Sequence, residues 1–251
     1  MPRPRYKLYY WPGIQGRGEL IRLAFEEAGV AYLDMARQPE SKGGGVAGMM
    51  QVLRGDGRRR MAHFAPPILE VGAVRVSQTT NILDFIAPSL RLVPRDPKLR
   101  LAARQLQLTI ADLIAEIHDV HHPIASSLYY EDQKPEARRR AGHLVGERLP
   151  KYLGYFEGLL GRARRGHLVG DTLTYVDLSM FQVMAGLGHA FPRAMRTLEA
   201  KHPRLVAQRD RVAARPRIAA YLASDRRIAW NEHDLFRAYA ELDAGGAHLG
   251  S

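Results

Sequence analysis

The chain has 251 residues, of which 46% are hydrophobic and 25% charged, so it can form one large or two modest domains with a substantial core. It contains no cysteine, which excludes disulfides, thiolate metal sites and a cysteine nucleophile. The formal charge of +11 is scattered over short basic clusters, and no nucleic-acid-binding motif accompanies them. We therefore expect no nucleic-acid partner, although a positive field would attract anionic small molecules.

Hydropathy adds a second exclusion. No apolar run has the length needed to span a bilayer, and the N-terminus lacks the apolar core of a signal peptide. Together with the absence of cysteine, this pattern predicts a cytoplasmic protein with no membrane partner.

The first elements of the chain form a predicted strand–helix–strand unit. Residues 6–11 are aromatic and strand-like, an amphipathic helix runs from Arg17 to a stop at Gly29, and residues 30–35 indicate a second strand. A right-handed crossover would make these strands parallel. The glycine-rich segment of residues 37–63 predicts a mobile loop with at most one short helix.

A hairpin and a helix follow this unit. Pro66 and Pro67 precede a short apolar strand at residues 68–71, Gly72 begins a turn, and residues 74–77 alternate as a second strand. The first half of the chain is therefore predicted to be βαβ–ββα.

The helix start after the hairpin is a candidate binding site for an anionic group. Residues 77–80 lie where free backbone N–H groups and the positive end of a helix dipole attract a carboxylate. Pro67 is a candidate for a cis peptide bond, which would turn the carbonyl of Pro66 toward a peptide-like ligand. From these residues alone, an ordinary hairpin and helix would be favoured over a binding site.

After a proline-rich linker at residues 94–97, the pattern becomes helical. Pro150 is expected to bend the second long helix, and the apolar third helix is expected to be central. Trp230, Phe236 and Tyr239 are expected to anchor a tail that packs back onto the body and frays after Ala244. The predicted helices cover residues 99–121, 135–160, 174–187, 193–198, 203–214 and 216–223.

A capping box precedes the central helix. The Thr174 side chain can accept from a backbone N–H three residues on, and Asp177 can bond back toward Thr174. The loss of such a cap costs about 1 kcal/mol, so we interpret this pair as structural.

Three motifs resemble the cytosolic glutathione transferase family. They are KLYYWPGIQGRGELIRLAFEEAGVAY, APPILEVGAVRVSQTTNIL and HLVGDTLTYVDLSMF, and their order and spacing span the chain. Within this family, the chain resembles tyrosine-type members of the sigma, alpha and pi group. It also resembles bacterial members. It implies a thioredoxin-like glutathione-binding domain at residues 1–90 and an all-α helical bundle domain at residues 96–251.

The resemblance also implies how the chemistry is performed. Tyr10 matches the tyrosine whose hydroxyl donates to the glutathione thiolate, and Arg17 matches an arginine that supports this thiolate in some classes. Without the resemblance, both Tyr9 and Tyr10 would be interpreted as packing residues. The chain departs from the family in one place, because the loop between Tyr10 and Arg17 is one residue longer.

Glutathione, as the co-substrate, is expected to contact several further positions. Gln78 and Thr79 would hold its γ-glutamyl end, and the backbone of Pro66, before Pro67, would pair with the cysteinyl amide. Asp112 matches a position that reaches the γ-glutamyl amine across a dimer interface, or is a solvated helix residue. Lys42 is the candidate for the glycine carboxylate.

The acceptor pocket is expected to be apolar and to hold an electrophile. Its candidate residues are Trp11, His118, His122 and Trp230. His118, His121 and His122 share a helix face, but no further ligands with metal-site spacing accompany them, so we expect no metal.

Two functions remain open from the sequence. The first is a homodimeric glutathione transferase that conjugates the thiolate to electrophilic apolar substrates. The second keeps the fold and is a glutathione-binding protein without conjugating activity, or a glutathione-dependent isomerase or peroxidase. The longer loop after Tyr10 and the glycine-rich residues 43–48 motivate the second.

Overall fold

A computed structural model describes residues 5–55 and 62–243 of the chain. Its sheet has four strands in the order β2-β1-β3-β4, in which β1 and β2 are parallel and the other two pairs are antiparallel. This topology confirms the predicted βαβ–ββα arrangement of a thioredoxin-like domain. The strands are β1 (Tyr6–Tyr9), β2 (Tyr32–Asp34), β3 (Ile68–Val71) and β4 (Val74–Ser77).

The sheet is covered on both faces. Helices α1 (Glu19–Ala28) and α3 (Thr79–Leu90) bury their apolar sides against Leu8 and Leu69 on one face. Helix α2 (Gly45–Arg54) covers the other face through Met49, which packs with Tyr9. Successive strand residues point to opposite faces, so β1 supplies side chains to both layers.

The segment after β2 is more regular than its glycine content suggested. It holds the ten-residue α2 and two short 3₁₀ turns, at Met35–Arg37 and Glu40–Lys42. The spacing of Met49, Met50 and Leu53 lets α2 bury one side, which outweighs the low helix propensity of its glycines. Residues 56–61 of the predicted loop lie outside the described residues.

Two boundaries near the N-terminus differ from the prediction. Strand β1 ends at Tyr9, two residues before Trp11. The segment Gly16–Gly18 forms a 3₁₀ turn, and α1 begins only at Glu19. The helix ends as expected, since Gly29 takes a left-handed conformation with φ of 65°.

The remaining helices form the predicted all-α domain. Helix α4 ends at His118, three residues earlier than expected. The second long helix bends through a π turn at Leu144–Arg148, just before Pro150, which cannot donate a backbone hydrogen bond. The helices are α4 (Pro97–His118), α5 (Lys134–His143), α6 (Leu149–Arg162), α7 (Tyr175–Ala190), α8 (Pro192–Lys201), α9 (Pro203–Ala213) and α10 (Pro216–Leu222).

The capping box at the start of the central helix α7 is confirmed. The Asp177 carboxylate accepts from the backbone N–H and the hydroxyl of Thr174, at 2.8 and 2.9 Å. It also accepts from the backbone N–H of Leu168 at 2.9 Å. One buried carboxylate therefore fixes both the helix start and the preceding loop.

A buried charged network joins the two halves of the chain. Arg22 is fully buried and bonds Asp34 at 2.8 Å and Glu19 at 3.3 Å. Glu19 also accepts from the hydroxyl of Tyr221 and from the guanidinium of Arg227, both of which belong to the C-terminal half.

The tail after α10 packs back onto the body as predicted, with Phe236 buried and Trp230 and Tyr239 partly buried against the core. The expected fraying after Ala244 lies outside the described residues. No helix in the described ranges is long and apolar enough to cross a membrane.

Candidate functional site

A cleft of about 520 Å³ lies between the start of α3 and the middle of α4. It brings together Arg17, Gln78 and Thr79, three residues that the sequence assigned to one site. The remaining lining residues are Leu20, Thr80, Asn81, Asp84, Arg104, Gln107, Leu108, Ala111 and Ile114.

The start of α3 gives this cleft an anion-binding wall. Gln78 has a left-handed backbone with φ of 70°, and its carbonyl accepts the first helical bond, from Ile82 N at 2.8 Å. No side chain among the described residues caps this helix, so its first N–H groups are available to a ligand. Backbone N–H groups and the helix dipole both favour a carboxylate there.

Two buried polar side chains on the cleft wall have no hydrogen-bond partner among the described residues. They are Thr79, through Oγ1, and Gln107, through both ends of its amide. Gln107 is only 1% exposed. Leaving such groups unpaired costs about 1–3 kcal/mol each, which favours a ligand or water at this place.

The sequence prediction missed Gln107. It lies on the buried side of α4 between Ala103 and Ile110, where apolar residues are the rule. A glutamine at a core position of an amphipathic helix is a signal that could have identified it. Arg104 and Asp84, which form an ion pair between α4 and α3, were also missed.

Tyr10 lies beneath the turn that follows it. Its ring is 5% exposed, and its hydroxyl oxygen accepts a hydrogen bond from the backbone N–H of Arg17 at 2.9 Å. A Cβ atom on Gly16 or Gly18 would come within 2.3 or 2.5 Å of the Tyr10 side chain, so both positions require glycine. Burial raises the pKa of Tyr10, and the hydrogen bond from Arg17 lowers it.

The two adjacent tyrosines face opposite layers of the domain. Tyr10 packs in the main core with α1 and α3, whereas Tyr9 packs with Met35 and Met49 on the other face. Tyr10 is therefore the one on the side of the cleft, although the cleft lining formed by the described residues does not include it.

The loop after Tyr10 is held by the C-terminal tail. Gln15 is buried, and the backbone N–H groups of Gln15 and Gly16 donate to the two carboxylate oxygens of Asp234 at 2.9 and 2.8 Å. The side chain of Gln15 donates to the Ile228 carbonyl and accepts from Gln182 of α7. Asn231 of the tail also donates to the Gly13 carbonyl at 2.9 Å.

None of the predicted acceptor-pocket residues belongs to the cleft lining that the structure describes. His118 and His122 lie 5.1 Å apart between ring centres, and Trp11 is exposed. Burial lowers the pKa of His118, and the positive charge of Arg17 lowers it further. Trp230 instead stacks on His189 and packs edge-on against Phe236, so the tail uses it for packing.

The remaining residues that were predicted to contact glutathione lie outside the cleft lining that the structure describes. The Pro66–Pro67 peptide bond is cis, as the sequence suggested, and Pro67 is buried at the start of β3. Lys42 and Asp112 are both exposed, and neither belongs to the cleft lining as far as the structure describes it. Arg37 bonds the carbonyls of Asp225 and Arg226. In the ranges 5–55 and 62–243, no cluster of three or more His, Cys, Asp or Glu side chains could hold a metal ion.

Comparison with known proteins agrees with this architecture. Residues 118–225 match a family model described as the glutathione S-transferase C-terminal domain. A glutathione S-transferase of Plasmodium yoelii yoelii is 25% identical over 213 residues, covering 84% of this chain and 90% of that protein. Glutathione S-transferase A2 of Bos taurus is 26% identical over 235 residues, covering 92% and 95%.

Solved structures share the fold. A monomeric glutathione S-transferase of the hookworm Necator americanus, Na-GST-3, has a TM-score of 0.61 at 21% identity and covers 87% of this chain and 96% of its own. Prostaglandin synthase D of Nilaparvata lugens has a TM-score of 0.65 at 19% identity, with coverage of 88% and 98%.

The fold and the cleft define a protein with a thioredoxin-like half and a helical half that meet at the cleft. With the family model and the relatives, they lead to a narrower conclusion. Over most of its length the chain is similar to glutathione S-transferases, and these matches support an enzyme of that kind.

Proposed function

We propose that this enzyme conjugates glutathione to an apolar electrophile, with the γ-glutamyl end bound in the cleft between α3 and α4. The observation that carries the proposal is the convergence of Arg17, Gln78 and Thr79 on one cleft at an uncapped helix start. The relatives named as glutathione S-transferases support the reaction class.

The γ-glutamyl carboxylate fits the start of α3. It would accept from the free N–H groups of the first turn and from Thr79 Oγ1, which lacks a partner among the described residues. Gln78 would bond the same end of the ligand, and the backbone of Pro66 would pair with the cysteinyl amide. Lys42 is our candidate for the glycine carboxylate because it is an exposed cation in the turn before α2.

The thiol must lose its proton before it can attack. A free cysteine thiol has a pKa near ~8.5, so most of it is protonated at neutral pH. In our proposal the Tyr10 hydroxyl donates to the sulfur and Arg17 adds a positive charge, both of which favour the thiolate. The thiol proton passes to water, sulfur bonds to the electrophilic carbon, and the leaving group departs with its electron pair.

The hydrogen bond from Arg17 suits Tyr10 to this role. The Tyr10 oxygen accepts from the Arg17 N–H, which leaves the hydroxyl proton free to donate. No described residue accepts that proton at hydrogen-bond distance. In our proposal Trp11, His118 and His122 contact the electrophile, and Trp230 supports the pocket through its packing on His189 and Phe236.

Replacing Tyr10 with Phe tests the proposal. We expect the pKa of bound glutathione to rise by about one to two units and turnover to fall on the order of 10²-fold, with little change in glutathione affinity. The thiolate is measured by ultraviolet absorbance against pH, and turnover with a generic aryl halide. Tyr9→Phe, on the opposite face, is the matched control. An unchanged thiol titration in Tyr10→Phe would remove Tyr10 from the mechanism.

A second candidate is favoured by the burial of Tyr10. Its ring is 5% exposed, so the protein could bind glutathione without presenting this hydroxyl to the sulfur. Such a protein would be a non-conjugating binder, or an isomerase or peroxidase that activates the thiol elsewhere. Retention on immobilised glutathione without aryl halide conjugation would favour this candidate over the first.

We also propose a homodimer. Phe85 on α3 and Leu101 and Leu108 on α4 are 44%, 63% and 51% exposed, and these helices also carry the cleft. Such a pairing would bring Asp112 of one subunit toward the glutathione of the other. Sedimentation velocity measures the mass directly, and a monomer at micromolar concentration would rule the dimer out.

A further inference from the structure

The tail residue Asp234 bonds directly to the loop beside Tyr10. Asp234 is 2% exposed, and its two carboxylate oxygens accept from Gln15 N at 2.9 Å and Gly16 N at 2.8 Å. The first of these pairs is separated by 219 positions in the chain. A buried carboxylate is retained at such a place only when hydrogen bonds compensate its desolvation.

The next backbone N–H along the loop belongs to Arg17, and it donates to the Tyr10 hydroxyl at 2.9 Å. Of these three successive N–H groups, those of Gln15 and Gly16 therefore bond to the Asp234 carboxylate, and that of Arg17 bonds to the Tyr10 phenol. The short 3₁₀ turn at Gly16–Gly18 fixes their relative directions. Since Asp234 holds the first two groups, it also determines where the third one points.

We infer that Asp234 is a positioning residue for Tyr10: by holding Gln15 and Gly16 it keeps the Arg17 N–H on the phenol oxygen and the phenol proton directed at the glutathione sulfur. The inference rests on the proposed function. It adds a contact from the C-terminal tail that no motif of the N-terminal half contains.

The charge of Asp234 and its positioning role act in opposite directions. As a nearby negative charge, Asp234 raises the pKa of Tyr10, whereas the Arg17 N–H lowers it. If Asp234 acted only through its charge, its neutralisation would make the phenol a better donor. If it acts by positioning, the neutral variant loses the N–H bond and the phenol becomes a poorer donor.

The tail provides a matched control in Asp243. It is also 2% exposed, and its two oxygens accept from Arg193 N at 2.7 Å and Ala194 N at 3.0 Å. Those N–H groups start α8, away from the loop after Tyr10. Asp243→Asn therefore weakens the docking of the same tail without touching the Gln15–Arg17 turn.

The experiment compares Asp234→Asn with Asp243→Asn in the full chain. We expect Asp234→Asn to raise the pKa of bound glutathione by about one unit and to lower kcat about tenfold, with KM for glutathione nearly unchanged. Asp243→Asn should lose stability but keep both values. A shift no larger than that of Asp243→Asn, or a shift to lower pKa, would overturn the inference.

A milder variant covers the case in which Asp234→Asn does not fold. Asn231→Ala removes the bond from the same tail to the Gly13 carbonyl, together with two bonds inside the tail, to the Ala229 carbonyl and from the His233 N–H, and it leaves Asp234 in place. We expect a change in kcat of about threefold in the same direction and with no change in KM. No change in kcat would count against the inference.

A readout that needs no glutathione separates this inference from the proposed function. In ligand-free protein, amide hydrogen exchange of Gly16 and Arg17 should be at least about tenfold faster in Asp234→Asn than in Asp243→Asn. Faster exchange without any effect of Tyr10→Phe on the thiol would overturn the proposed role of Tyr10 but leave the positioning of the turn. Equal exchange in both variants would overturn the positioning itself.

Discussion

The start of α7 and the loop from Pro12 to Arg17 are each held by a buried aspartate that accepts backbone N–H groups. At α7 the donors are Thr174 and Leu168, within nine positions of Asp177. At the loop the donors are Gln15 and Gly16, and Asp234 lies in the tail, 219 and 218 positions away. The two carboxylates have the same chemistry and a very different reach along the chain.

Because the two aspartates bond to donors at such different sequence distances, we expect one to serve stability alone and the other to affect function as well. Asp177 stabilises a helix start through donors that are close to it in sequence, and it does not belong to the cleft lining that the structure describes. Asp234 closes a contact between the two ends of the chain, so it forms only when the tail has docked. Losing the first should cost stability alone, and losing the second should also change the chemistry at Tyr10.

The largest effect on stability is expected for Asp177→Ala. It leaves two buried backbone N–H groups without their acceptor, so the free energy of unfolding should fall by about 3 kcal/mol. Urea unfolding near pH 7.5 measures the loss, and activity per folded molecule should be unchanged. Thr174→Ser, which keeps the hydroxyl, is the control with a small effect. A drop in kcat for folded Asp177→Ala would contradict the view that Asp177 serves stability alone.

Acid should weaken the docking of the tail. His121 is buried against Tyr239 of the tail, and burial lowers its pKa to about 3. The unfolded chain therefore binds more protons than the folded one between pH 3 and the ordinary histidine pKa of 6.5, and stability falls as the pH falls through this window.

His121→Phe tests that sign. In the wild type, this one group should cost about 2 kcal/mol of unfolding free energy between pH 7.5 and pH 5. The variant should lose that part of the pH dependence, as measured by urea unfolding at both values. His143→Gln, at an exposed position, should leave it in place. An identical slope in wild type and His121→Phe would contradict the assignment.

The smallest effect is expected for a buried polar side chain that, within the described part of the chain, is unpaired instead of hydrogen-bonded. Gln107 has no hydrogen-bond partner among the described residues, unlike Asp177 and Asp234. We expect Gln107→Met to raise the free energy of unfolding by about 1 kcal/mol while weakening glutathione binding several-fold. Thermal unfolding and KM for glutathione measure the two changes. Gln105→Met on the exposed side of α4 controls for the substitution itself, and a destabilised Gln107→Met would show that the amide is already paired.

Features encoded by neighbouring residues were predictable from sequence. The capping box at Thr174 and Asp177, the cis candidate at Pro67 and the helix start after Gln78 each depend on contacts within a few positions. For the same reason, the order of strands and helices in both halves followed from periodicity, with end positions shifted by a few residues.

Features set by distant contacts were not predictable. Neither Gln15 nor Asp234 carries a local signal, and the depth of Tyr10 depends on how Gly16 and Gly18 cover its ring. Helix α2 was underestimated because its glycines lower propensity, while Met49 gains burial only once the sheet is present. The roles of the site residues and the domain limits at residues 90 and 96 stay predictions.

The charged network around Arg22 limits how the two halves can be recombined. Glu19 and Arg22 come from the N-terminal half, and Tyr221 and Arg227, which complete the coordination of Glu19, come from the other. A chimera that joins this N-terminal half to the helical half of a glutathione S-transferase would leave the Glu19 carboxylate buried with fewer partners, unless that half also supplied a matching tyrosine and arginine. Whether two halves are compatible therefore depends on the few buried charged and polar groups around Glu19 and Arg22, more than on the sequence of the linker.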